Sequence, residues 1–516
     1  MADYILIGAG SAGCVLANRL TENPDATVLL LEAGGMDDHP DIRIPARWGD
    51  LLGTALDWSY WTVPQAHANQ RSLVWNRGKV LGGSSSINAM VYIRGHRWDY
   101  DHWSSLGNPG WTYADVLLYF KKAENFERGA DDYHGVGGPL NVADIPHVSP
   151  VADPFLQAAM QLGLPLNPDF NGATQDGVGW YQFTQKNGER HSTVDAYLKP
   201  VRSRPNLSIE TDAHVTRLLF SGTHAIGVEY LQRGQLQQAY ADAEVILCSG
   251  AINSPQILLC SGIGPADQLR QLDLPVIVDL PGVGDNLQDH PKVDCHFTSR
   301  PPIRADFSRA GPDNDDYTRS RTGLLSQVRS PVGAFARTRP DVDIPDVQYY
   351  AAQGDISGPY DFAIVASLLR PEGHGTVRLH SADPFAPPLI DPDFLAYDAD
   401  LRTLVDAVKF VRELTQTRAY ADFLDAEVDP GEKFQSDADI AEWVRSALES
   451  TWHCVGTCKM GVDSLAVVNP QLQVCGVDNL RVVDASIMPK VVSGNTNAAA
   501  IMIAEKAADM IQGAVM

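Results

Sequence analysis

The sequence predicts an α/β fold, α+β when the whole chain is considered, built from more than one structural unit. Three observations lead to this prediction. Residues 4–34 show the pattern of a strand, a helix and a second strand. Residues 205–247 show the pattern of a β-meander. Residues 398–450 and 497–514 show helical periodicity.

The N-terminal unit has the clearest pattern. The run "YILIGAG" (4–10) is apolar and ends in glycines, and "ATVLLLEAG" (26–34) is a second apolar run, typical of a parallel strand buried on both faces. Between them, Ala12, Val15, Leu16 and Leu20 recur at helical spacing on one face. These segments predict a strand–helix–strand unit of about 30 residues.

The later elements are predicted from periodicity and turn residues. Residues 35–110 are rich in Gly, Pro, Trp and Ser, so we expect a mostly irregular segment that wraps around something. Few apolar residues occur within 300–330, which favours a mobile loop or lid. The remaining predicted elements are helices at 111–127, 151–163, 253–262 and 264–273, short strands within 345–395, two or three helices within 398–450, a strand at 479–486 and a closing helix at 497–514.

Composition excludes several classes of protein. The 516 residues include 64 acidic and 40 basic side chains, a net charge of −24, so nucleic acid is not expected as a partner. No apolar run reaches the roughly 18 residues of a membrane span, and the first strand leaves no room for a signal peptide. The seven scattered cysteines favour reduced thiols over a disulfide framework. We therefore expect a cytoplasmic protein without an integral membrane segment.

A glycine-rich turn joins the first strand to its helix. Gly8, Gly10 and Gly13 form a G-x-G-x-x-G pattern there. Glycines permit a tight turn and allow the backbone to approach a pyrophosphate. The helix that begins at Ser11 and Ala12 offers free amide groups and a positive dipole end to the same anion. The pattern thus predicts a cofactor-binding turn.

A carboxylate closes the second strand. Glu32, followed by Ala33, lies about 20 residues after Gly13, where an acid accepts hydrogen bonds from ribose hydroxyls. A chance glycine-rich turn would not explain this placement. The combination therefore favours a dinucleotide cofactor, but it does not separate NAD from FAD.

Longer motifs distinguish between NAD and FAD because they resemble the signatures of a known family. The segments "RGKVLGGSSSINAMVYIRG" (77–95) and "GAINSPQILLCSGIG" (250–264) resemble the two signatures of glucose–methanol–choline (GMC) oxidoreductases, which are FAD enzymes. Four further segments are similar to that family in its order and spacing: "DWSYWTVPQ" (57–65), "GVGDNLQDHP" (282–291), "LRVVDASIMP" (480–489) and "GNTNAAAIMIAEKAAD" (494–509). The bacterial choline-dehydrogenase-like and alcohol dehydrogenase branch is the most similar.

The resemblance implies two domains. One is a Rossmann-like FAD-binding domain assembled from discontinuous pieces, expected at 1–145, 195–288 and 450–516. The other is a substrate-binding domain built on an antiparallel sheet flanked by helices, expected at 146–194 and 289–449. The second domain would cap the flavin ring.

The resemblance also implies which residues surround FAD. Some family members attach FAD covalently through a histidine at the position of Ile87, so we expect non-covalent FAD here. The backbone of Val215 is expected near the adenine, although Val215 also fits a strand core, and Asn495 also fits a structural role. The implied cofactor-binding residues are Gly83, Ser84, Asn88, Ala89, Val215, Gly250, Asp484, Ala485, Asn495 and Thr496.

A catalytic base is needed because the alcohol loses a proton as its hydride leaves for flavin N5. Histidine is the usual base near neutral pH. The resemblance places His453, within "WHCVGTCKMG" (452–461), in this role. It places Asn497 at the second catalytic position, where the family uses His or Asn. Asn497 can also be interpreted as the N-cap of the last helix.

The same stretch admits other interpretations. His453, Cys454 and Cys458 could form half of a metal site, but no second Cys/His pair follows at zinc spacing, so no metal is expected. Nothing in the sequence shows that "DHPKVDCH" (289–296) meets this stretch. Trp452 fits either a core aromatic or a wall of the substrate pocket.

The substrate is predicted from a missing carboxylate. In choline oxidases a glutamate shortly after the "DHP" run helps to hold the trimethylammonium group. An ungapped alignment places Thr298 at the position of that glutamate. A second active-site histidine of choline oxidases aligns near Tyr350. If the alignment is shifted by four residues, Asp294 would supply the carboxylate. Tyr349 and Tyr350 alternate on a predicted strand, so one faces the pocket.

We therefore predict oxidation of a neutral primary alcohol, aliphatic, benzylic or furanic, to its aldehyde. Choline or another amino alcohol, a non-catalytic flavin-binding protein and an NAD-dependent dehydrogenase remain alternatives. The predicted partners are a small-molecule alcohol and oxygen, a quinone or another electron acceptor. A homodimer is left open.

Overall fold

Two seven-stranded sheets organise the chain in a computed structural model, which describes residues 1–145, 149–308 and 313–513. This confirms the predicted mixed α/β class. The helices of the described residues are α1 Ser11–Leu20, α2 Arg97–Ser105, α3 Tyr113–Ala123, α4 Ala152–Gln161, α5 Gly250–Cys260, α6 Ala266–Gln271, α7 Asp313–Ser320, α8 Asp398–Thr415, α9 Asp437–Ala447 and α10 Asn497–Ile511.

Many of the strands are short. In chain order they are β1 Ala2–Ile7, β2 Val28–Leu31, β3 Tyr60–Trp61, β4 Val74–Trp75, β5 Val91–Tyr92, β6 Glu124–Phe126, β7 Leu140–Asp144, β8 Gly177–Trp180, β9 Gln182–Phe183, β10 Gln185–Lys186, β11 Glu189–Arg190, β12 Leu207–Glu210, β13 Ala213–Ser221, β14 His224–Gln232, β15 Gln235–Leu247, β16 Ile263–Gly264, β17 Val278–Asp279, β18 Pro291–Ser299, β19 Val332–Ala336, β20 Val347–Gln353, β21 Phe362–Leu368, β22 Thr376–Arg378, β23 Leu389–Asp391, β24 Leu424–Asp429, β25 Glu449–Ser450 and β26 Leu480–Val482.

The first sheet has the order β12-β2-β1-β15-β14-β13, and β26 also pairs with β15. The strands β12, β2, β1, β15 and β26 pair in parallel, whereas β13, β14 and the start of β15 pair antiparallel. The apolar ends of β1 and β15 are buried, as expected of parallel strands covered on both faces. The predicted strand–helix–strand unit and β-meander therefore belong to one sheet.

The second sheet has the order β24-β18-β21-β20-β19-β8, with β25 paired to β18. All of its pairings are antiparallel. One face packs in an apolar core with α8. Side chains of β18, β20 and β21 on the other face line a cavity. The sheet thus provides a wall for a binding site.

Helix starts follow from local capping. At the start of α3, the Thr112 hydroxyl accepts from the amide of Asp115, and the Asp115 carboxylate accepts from the amide of Thr112. Ser436 and Asp439 form the same reciprocal pair at α9. Each pair satisfies amides that have no acceptor within a helix.

Several elements differ from the predictions. Residues 35–110 contain α2, which His96 and Asp99 cap, and β24 lies in the region where only helices were predicted. The predicted loop at 300–330 contains α7, and its residues 309–312 lie outside the described part. Short polar elements of this kind lack the long apolar periodicity on which the predictions depended.

The domain boundaries stay a prediction. Apart from β25, which spans 449–450, the first sheet takes its strands from the ranges expected for the FAD-binding domain, and the second from those expected for the substrate-binding domain. The expected boundary at 146 and the chain end at 514–516 lie outside the described residues. Across 1–145, 149–308 and 313–513, no helix combines the length and apolar character needed to span a bilayer.

Candidate active site

One cavity of about 470 Å³ brings the predicted residues together. Its walls come from the carboxyl ends of the parallel strands, from the irregular segment at 76–91, from the second sheet and from the segments at 450–454 and 484–500. The predicted site residues that line it are Gly8, Gly10, Ser11, Ala12, Glu32, Ala33, Gly83, Ser84, Asn88, Ala89, Val215, Gly250, Asp484, Ala485, Asn495, Thr496, Asn497, Tyr350, Trp452 and His453.

The glycine-rich turn at residues 8–13 forms one part of the cavity wall. Gly10 is the N-cap of α1, and no side chain caps this helix, so its first amides are left for another acceptor. Gly13 does not line the cavity, because it packs against the turn: a Cβ there would lie 2.0 Å from the carbonyl oxygen of Gly8. Gly8 therefore forms the turn, Gly10 leaves room for a cofactor to approach the backbone, and Gly13 permits close packing of the helix against the turn.

Glu32 lies beside this turn. Its carboxylate accepts hydrogen bonds from the amides of Ala9, at 2.8 Å, and Gly34, at 2.9 Å. Burial raises the pKa of Glu32 to about 7, although both amides act in the opposite direction. The carboxylate is therefore fixed in place and still short of hydrogen-bond donors.

Asp484 joins two of the sequence motifs. Its carboxylate accepts from the Gly250 amide at 2.8 Å and from the Ser254 hydroxyl at 2.6 Å. It also accepts from the amide of Ser486 at 2.8 Å. Asp484 therefore fixes the start of α5 against residues 484–486, and both segments line the cavity.

The segment at 83–89 closes over the turn. A Cβ on Gly83 would lie 2.8 Å from the Cα of Gly10, so the two chains touch. The Asn88 side-chain oxygen accepts from Arg190 at 2.7 Å and from the amide of Met90 at 3.0 Å. Ile87 lines the cavity and packs in an apolar cluster.

His453 lies in a second group of polar residues. Its Nδ1 is 3.0 Å from Nδ1 of His290 and 3.1 Å from the hydroxyl of Thr451. Its Nε2 is 3.1 Å from the amide nitrogen of Asn495. The structure thus shows that the "DHP" segment meets the "WHC" segment, which the sequence did not reveal.

The hydrogen bonds assign the tautomer of His453. The Thr451 hydroxyl donates to the carbonyl of His290 at 2.9 Å, so its oxygen accepts from Nδ1–H of His453. The Asn495 amide donates to Nε2, which therefore carries the lone pair. This leaves Nε2 as the basic nitrogen, at the wall of the cavity.

Burial keeps His453 neutral. It lowers the pKa well below its usual range, and the nearby His290 and Arg77 act in the same direction. Burial also lowers the pKa of His290 to about 4. A neutral imidazole can accept a proton, so the site suits a general base.

Asp289 and Arg77 hold the segment in position. The Asp289 carboxylate accepts from the backbone amides of His290, at 2.8 Å, and His453, at 2.7 Å. Arg77 donates to the carbonyl of Trp452 at 2.5 Å and to the sulfur of Cys454 at 3.4 Å. Neither Asp289 nor Arg77 was among the predicted site residues; "DHP" was the one signal that pointed to Asp289.

The amide that contacts His453 belongs to Asn495. Asn497, which was predicted at the second catalytic position, also lines the cavity, and its catalytic role stays a prediction. The Asn497 oxygen instead accepts from the hydroxyl of Ser11 at 2.6 Å. Thr496, not Asn497, is the N-cap of α10. The side chains of Asn495 and Asn497, both near the start of α10, thus face different parts of the cavity, which the sequence pattern did not show.

Trp452 forms a wall of the cavity and also contacts the core of the second sheet. Its indole packs edge-on against Trp48, with ring centroids 6.3 Å apart. Its backbone has φ of 60°, in the left-handed region, which is strained for a non-glycine residue. Bonds to its amide and carbonyl hold this conformation next to His453.

The predicted tyrosines face opposite ways, as alternation on a strand requires. Tyr350 lines the cavity, whereas Tyr349 is 1% exposed in the core and contacts Phe410. Thr298 does not line the cavity: it bonds Asp425 at 3.1 Å near the far end of β18. The ungapped alignment therefore selected a residue of β18 that lies beyond the cavity, whereas Asp294, on the same strand, lines it.

Lys292 and Asp294 line the cavity shortly after the "DHP" run. Lys292 was missed by the sequence analysis. Cys454 lines the cavity as well, while Cys458 is buried elsewhere in the core. Among the described residues, no three His, Cys, Asp or Glu side chains are grouped to hold a metal ion.

Comparison with known proteins identifies relatives of this chain. Two family models described as GMC oxidoreductase match residues 2–292 and 371–504. Mitochondrial choline dehydrogenase of Mus musculus is 45% identical, covering 99% of this chain and 89% of that protein. The alcohol dehydrogenase [acceptor] of Pseudomonas putida is 44% identical, covering 99% and 96%. A solved structure of Aspergillus oryzae formate oxidase, concerned with FAD modification, has a TM-score of 0.93 and 27% identity, covering 100% and 98%.

Proposed function

Because this chain belongs to the GMC oxidoreductase family, we propose that it oxidises a neutral primary alcohol to the aldehyde with bound FAD. The chain is an oxidoreductase that acts on CH–OH donors. One observation carries the proposal: the cavity that begins at the glycine-rich turn is also lined by His453, whose Nε2 lone pair, next to the Asn495 amide, is available as a base.

The residues present fit FAD. The uncapped start of α1 suits a pyrophosphate, and the Glu32 carboxylate, which still lacks donors, suits ribose hydroxyls. Val215 lies on β13, the last strand in the order of the first sheet, and lines the cavity. Ile87 carries no nucleophile, so we propose that FAD is bound without a covalent link.

His453 and Asn495 would act together on the alcohol oxygen. Asn495 Nδ2 can donate a hydrogen bond to the alcohol oxygen while the hydroxyl proton of the alcohol moves to Nε2 of His453. FAD supplies the acceptor for the hydride that leaves the alcohol carbon. His290, Thr451 and Asp289 hold the base and its tautomer, and Trp452 covers one side of the cavity.

Choline or another amino alcohol is the second candidate substrate. The choline dehydrogenase relative favours it. The cavity does not: after the "DHP" run it presents Lys292, whose ammonium forms an ion pair with the only predicted alternative carboxylate, Asp294. A neutral alcohol therefore fits better than a trimethylammonium group.

The electron acceptor, a homodimeric assembly and a cytoplasmic location remain proposals. The oxygen, quinone and other acceptors that we predicted differ in how they reach the reduced flavin. A few side chains and an access path decide this difference.

An anaerobic panel tests the function. The purified, FAD-loaded protein is mixed with aliphatic, benzylic and furanic alcohols, with choline, and with NAD as a separate acceptor. We expect the flavin absorbance to bleach with neutral primary alcohols, and admission of oxygen followed by a peroxide assay then identifies the acceptor. A protein that takes up no FAD, or a flavin that no alcohol bleaches, would exclude the proposal.

A further inference from the structure

The second sheet gives the cavity a polar floor. Lys292 and Asp294 are two apart on β18, so both side chains point to the same face. Asp294 is paired with Val365 on β21, and Val365 with Tyr350 on β20. Lys292 is paired with Ser367, and Ser367 with Gln348. Lys292, Asp294, Gln348 and Tyr350 all line the cavity.

In the part of the chain that the structure describes, Lys292 keeps one N–H donor free. Its ammonium bonds the carboxylates of Asp294 at 2.7 Å and Glu449 at 2.8 Å, and its side chain is 10% exposed. Burial disfavours its charge, but the carboxylates of Asp294 and Glu449 outweigh burial and hold the pKa above its usual range. An ammonium has three N–H donors. The two ion pairs use two of them.

Tyr350 and Asp294 complete the polar group. Within residues 1–145, 149–308 and 313–513, the Tyr350 hydroxyl forms no hydrogen bond. Burial raises the pKa of Tyr350, so the hydroxyl keeps its proton and can donate or accept. The Asp294 carboxylate bonds Lys292 through Oδ1. Its other oxygen is left as an acceptor.

The hydrogen-bonding groups here favour a neutral hydroxyl. Lys292 carries one positive charge against the two negative charges of Asp294 and Glu449, so a quaternary ammonium is disfavoured by its lack of N–H donors and not by the net charge. A carboxylate would face Asp294, with Glu449 behind Lys292. A neutral hydroxyl can accept from Lys292 or Tyr350 and donate to Asp294. It satisfies the group without adding charge.

The spacing fits a ligand with two hydroxyls. Lys292 follows His290, the neighbour of His453, by two residues, which is about 7 Å along a strand. Ser450, three residues before His453, pairs directly with Pro291. A backbone spacing of about 7 Å matches a six-carbon chain or a para-substituted ring that carries a hydroxyl at each end.

We infer that the substrate carries a second, neutral hydroxyl, bound by Lys292, Asp294 and Tyr350 at the wall of the cavity that the second sheet provides. The inference rests on the proposed function, because it names the class of alcohol that the site would oxidise: a diol or a hydroxymethyl-substituted benzylic alcohol.

A series of para-substituted benzyl alcohols tests this. Anaerobic flavin reduction is measured with methyl, hydroxymethyl, carboxyl and trimethylammonio substituents on the holoenzyme. The hydroxymethyl compound has two equivalent alcohols, so its kcat/KM is first divided by two. We expect it to exceed that of the methyl compound by at least about tenfold, and both charged compounds to be slower than the hydroxymethyl one.

Variants test whether Lys292 and Tyr350 cause the preference for the hydroxymethyl compound. Lys292→Met and Tyr350→Phe should each reduce the hydroxymethyl-to-methyl ratio towards one, whatever their absolute rates. The matched controls are Thr298→Val, on the same strand but outside the cavity, and Tyr349→Phe, on the opposite face of the neighbouring strand. Both controls should keep the wild-type ratio.

The outcomes separate the two proposals. A corrected wild-type ratio near one, a faster charged compound, or an unchanged ratio in both Lys292→Met and Tyr350→Phe would overturn this inference. Flavin-dependent alcohol oxidation would still stand in each case, because the methyl compound bleaches the flavin, although a faster trimethylammonio compound would favour an amino alcohol as the substrate. If no benzylic or aliphatic alcohol bleaches the flavin, both proposals fail.

Discussion

His453 suits a base because its neighbours decide which nitrogen carries the proton. His290 and Thr451 meet Nδ1, and Asn495 meets Nε2. Burial and the charge of Arg77 keep the ring neutral. The active nitrogen is thus set by residues that come from three distant parts of the chain.

The pH profile of flavin reduction tests this environment. A depressed pKa moves protonation of the base to lower pH, so the rate should stay level as pH falls from 8.5 through 6.5, the ordinary histidine value. We expect the half-maximal rate only below the ordinary histidine pKa of about 6.5. Asp289, whose pKa burial raises to about 6, also gains a proton in that range. Stopped-flow measurements without oxygen check this. A midpoint at or above 6.5 would contradict it.

Asn495 and Asn497 form a matched pair for a second test. Asn495→Ala removes the donor beside Nε2 of His453, so flavin reduction should slow by roughly 10- to 100-fold with FAD still bound. Asn497→Ala removes the acceptor of the Ser11 hydroxyl, so FAD affinity should fall more than the reduction rate. Stopped-flow kinetics and FAD titration separate the two effects. The opposite assignment of effects would restore Asn497 as the partner of His453.

The sequence predicted part of this arrangement. His453 was predicted from its motif, and the structure places it in the cavity. Asn497 was chosen over Asn495 because a sequence pattern does not show on which side of a helix start each side chain lies. His290 was considered only as part of a metal cluster, since its contact with His453 depends on the pairing of β18 with β25.

At the scale of elements, the site depends on a helix start and a strand. α1 presents its uncapped amides at the end of the parallel sheet, as the glycine pattern predicted. β18 carries Lys292 and Asp294 into the cavity, while Thr298, on the same strand, lies beyond it. Alternation within a strand was predictable, but the point where the cavity ends was not, because neighbouring strands determine it.

Two glycines of α1 test the separate roles of packing and approach. Gly13→Ala places a methyl group about 2.0 Å from the Gly8 carbonyl, so it should lower thermal stability or prevent folding. Gly10→Ala meets its nearest protein atom at 3.8 Å, so the protein should fold but bind FAD at least about tenfold more weakly. Thermal unfolding and FAD titration measure the two effects. A Gly13→Ala variant as stable as wild type would contradict the packing role.

At the scale of the whole molecule, the cavity lies where the two sheets approach each other. The bond between Ser11 and Asn497 and the bond between Asp289 and His453 join residues far apart in the chain. Such contacts arise only after the chain has folded. The fold class could be predicted from local patterns, whereas the floor formed by β18, β20 and β21 required their register.

The central claim is that an alcohol gives a hydride to FAD while His453 takes its proton. The most direct measurement is a single turnover without oxygen, in which FAD-loaded wild type and His453→Ala are each mixed with excess neutral primary alcohol. We predict one aldehyde formed per flavin bleached in the wild type. In His453→Ala, we predict bleaching at least about 100-fold slower, with FAD retained. Bleaching of His453→Ala at nearly the wild-type rate, or bleaching without aldehyde, would contradict the account.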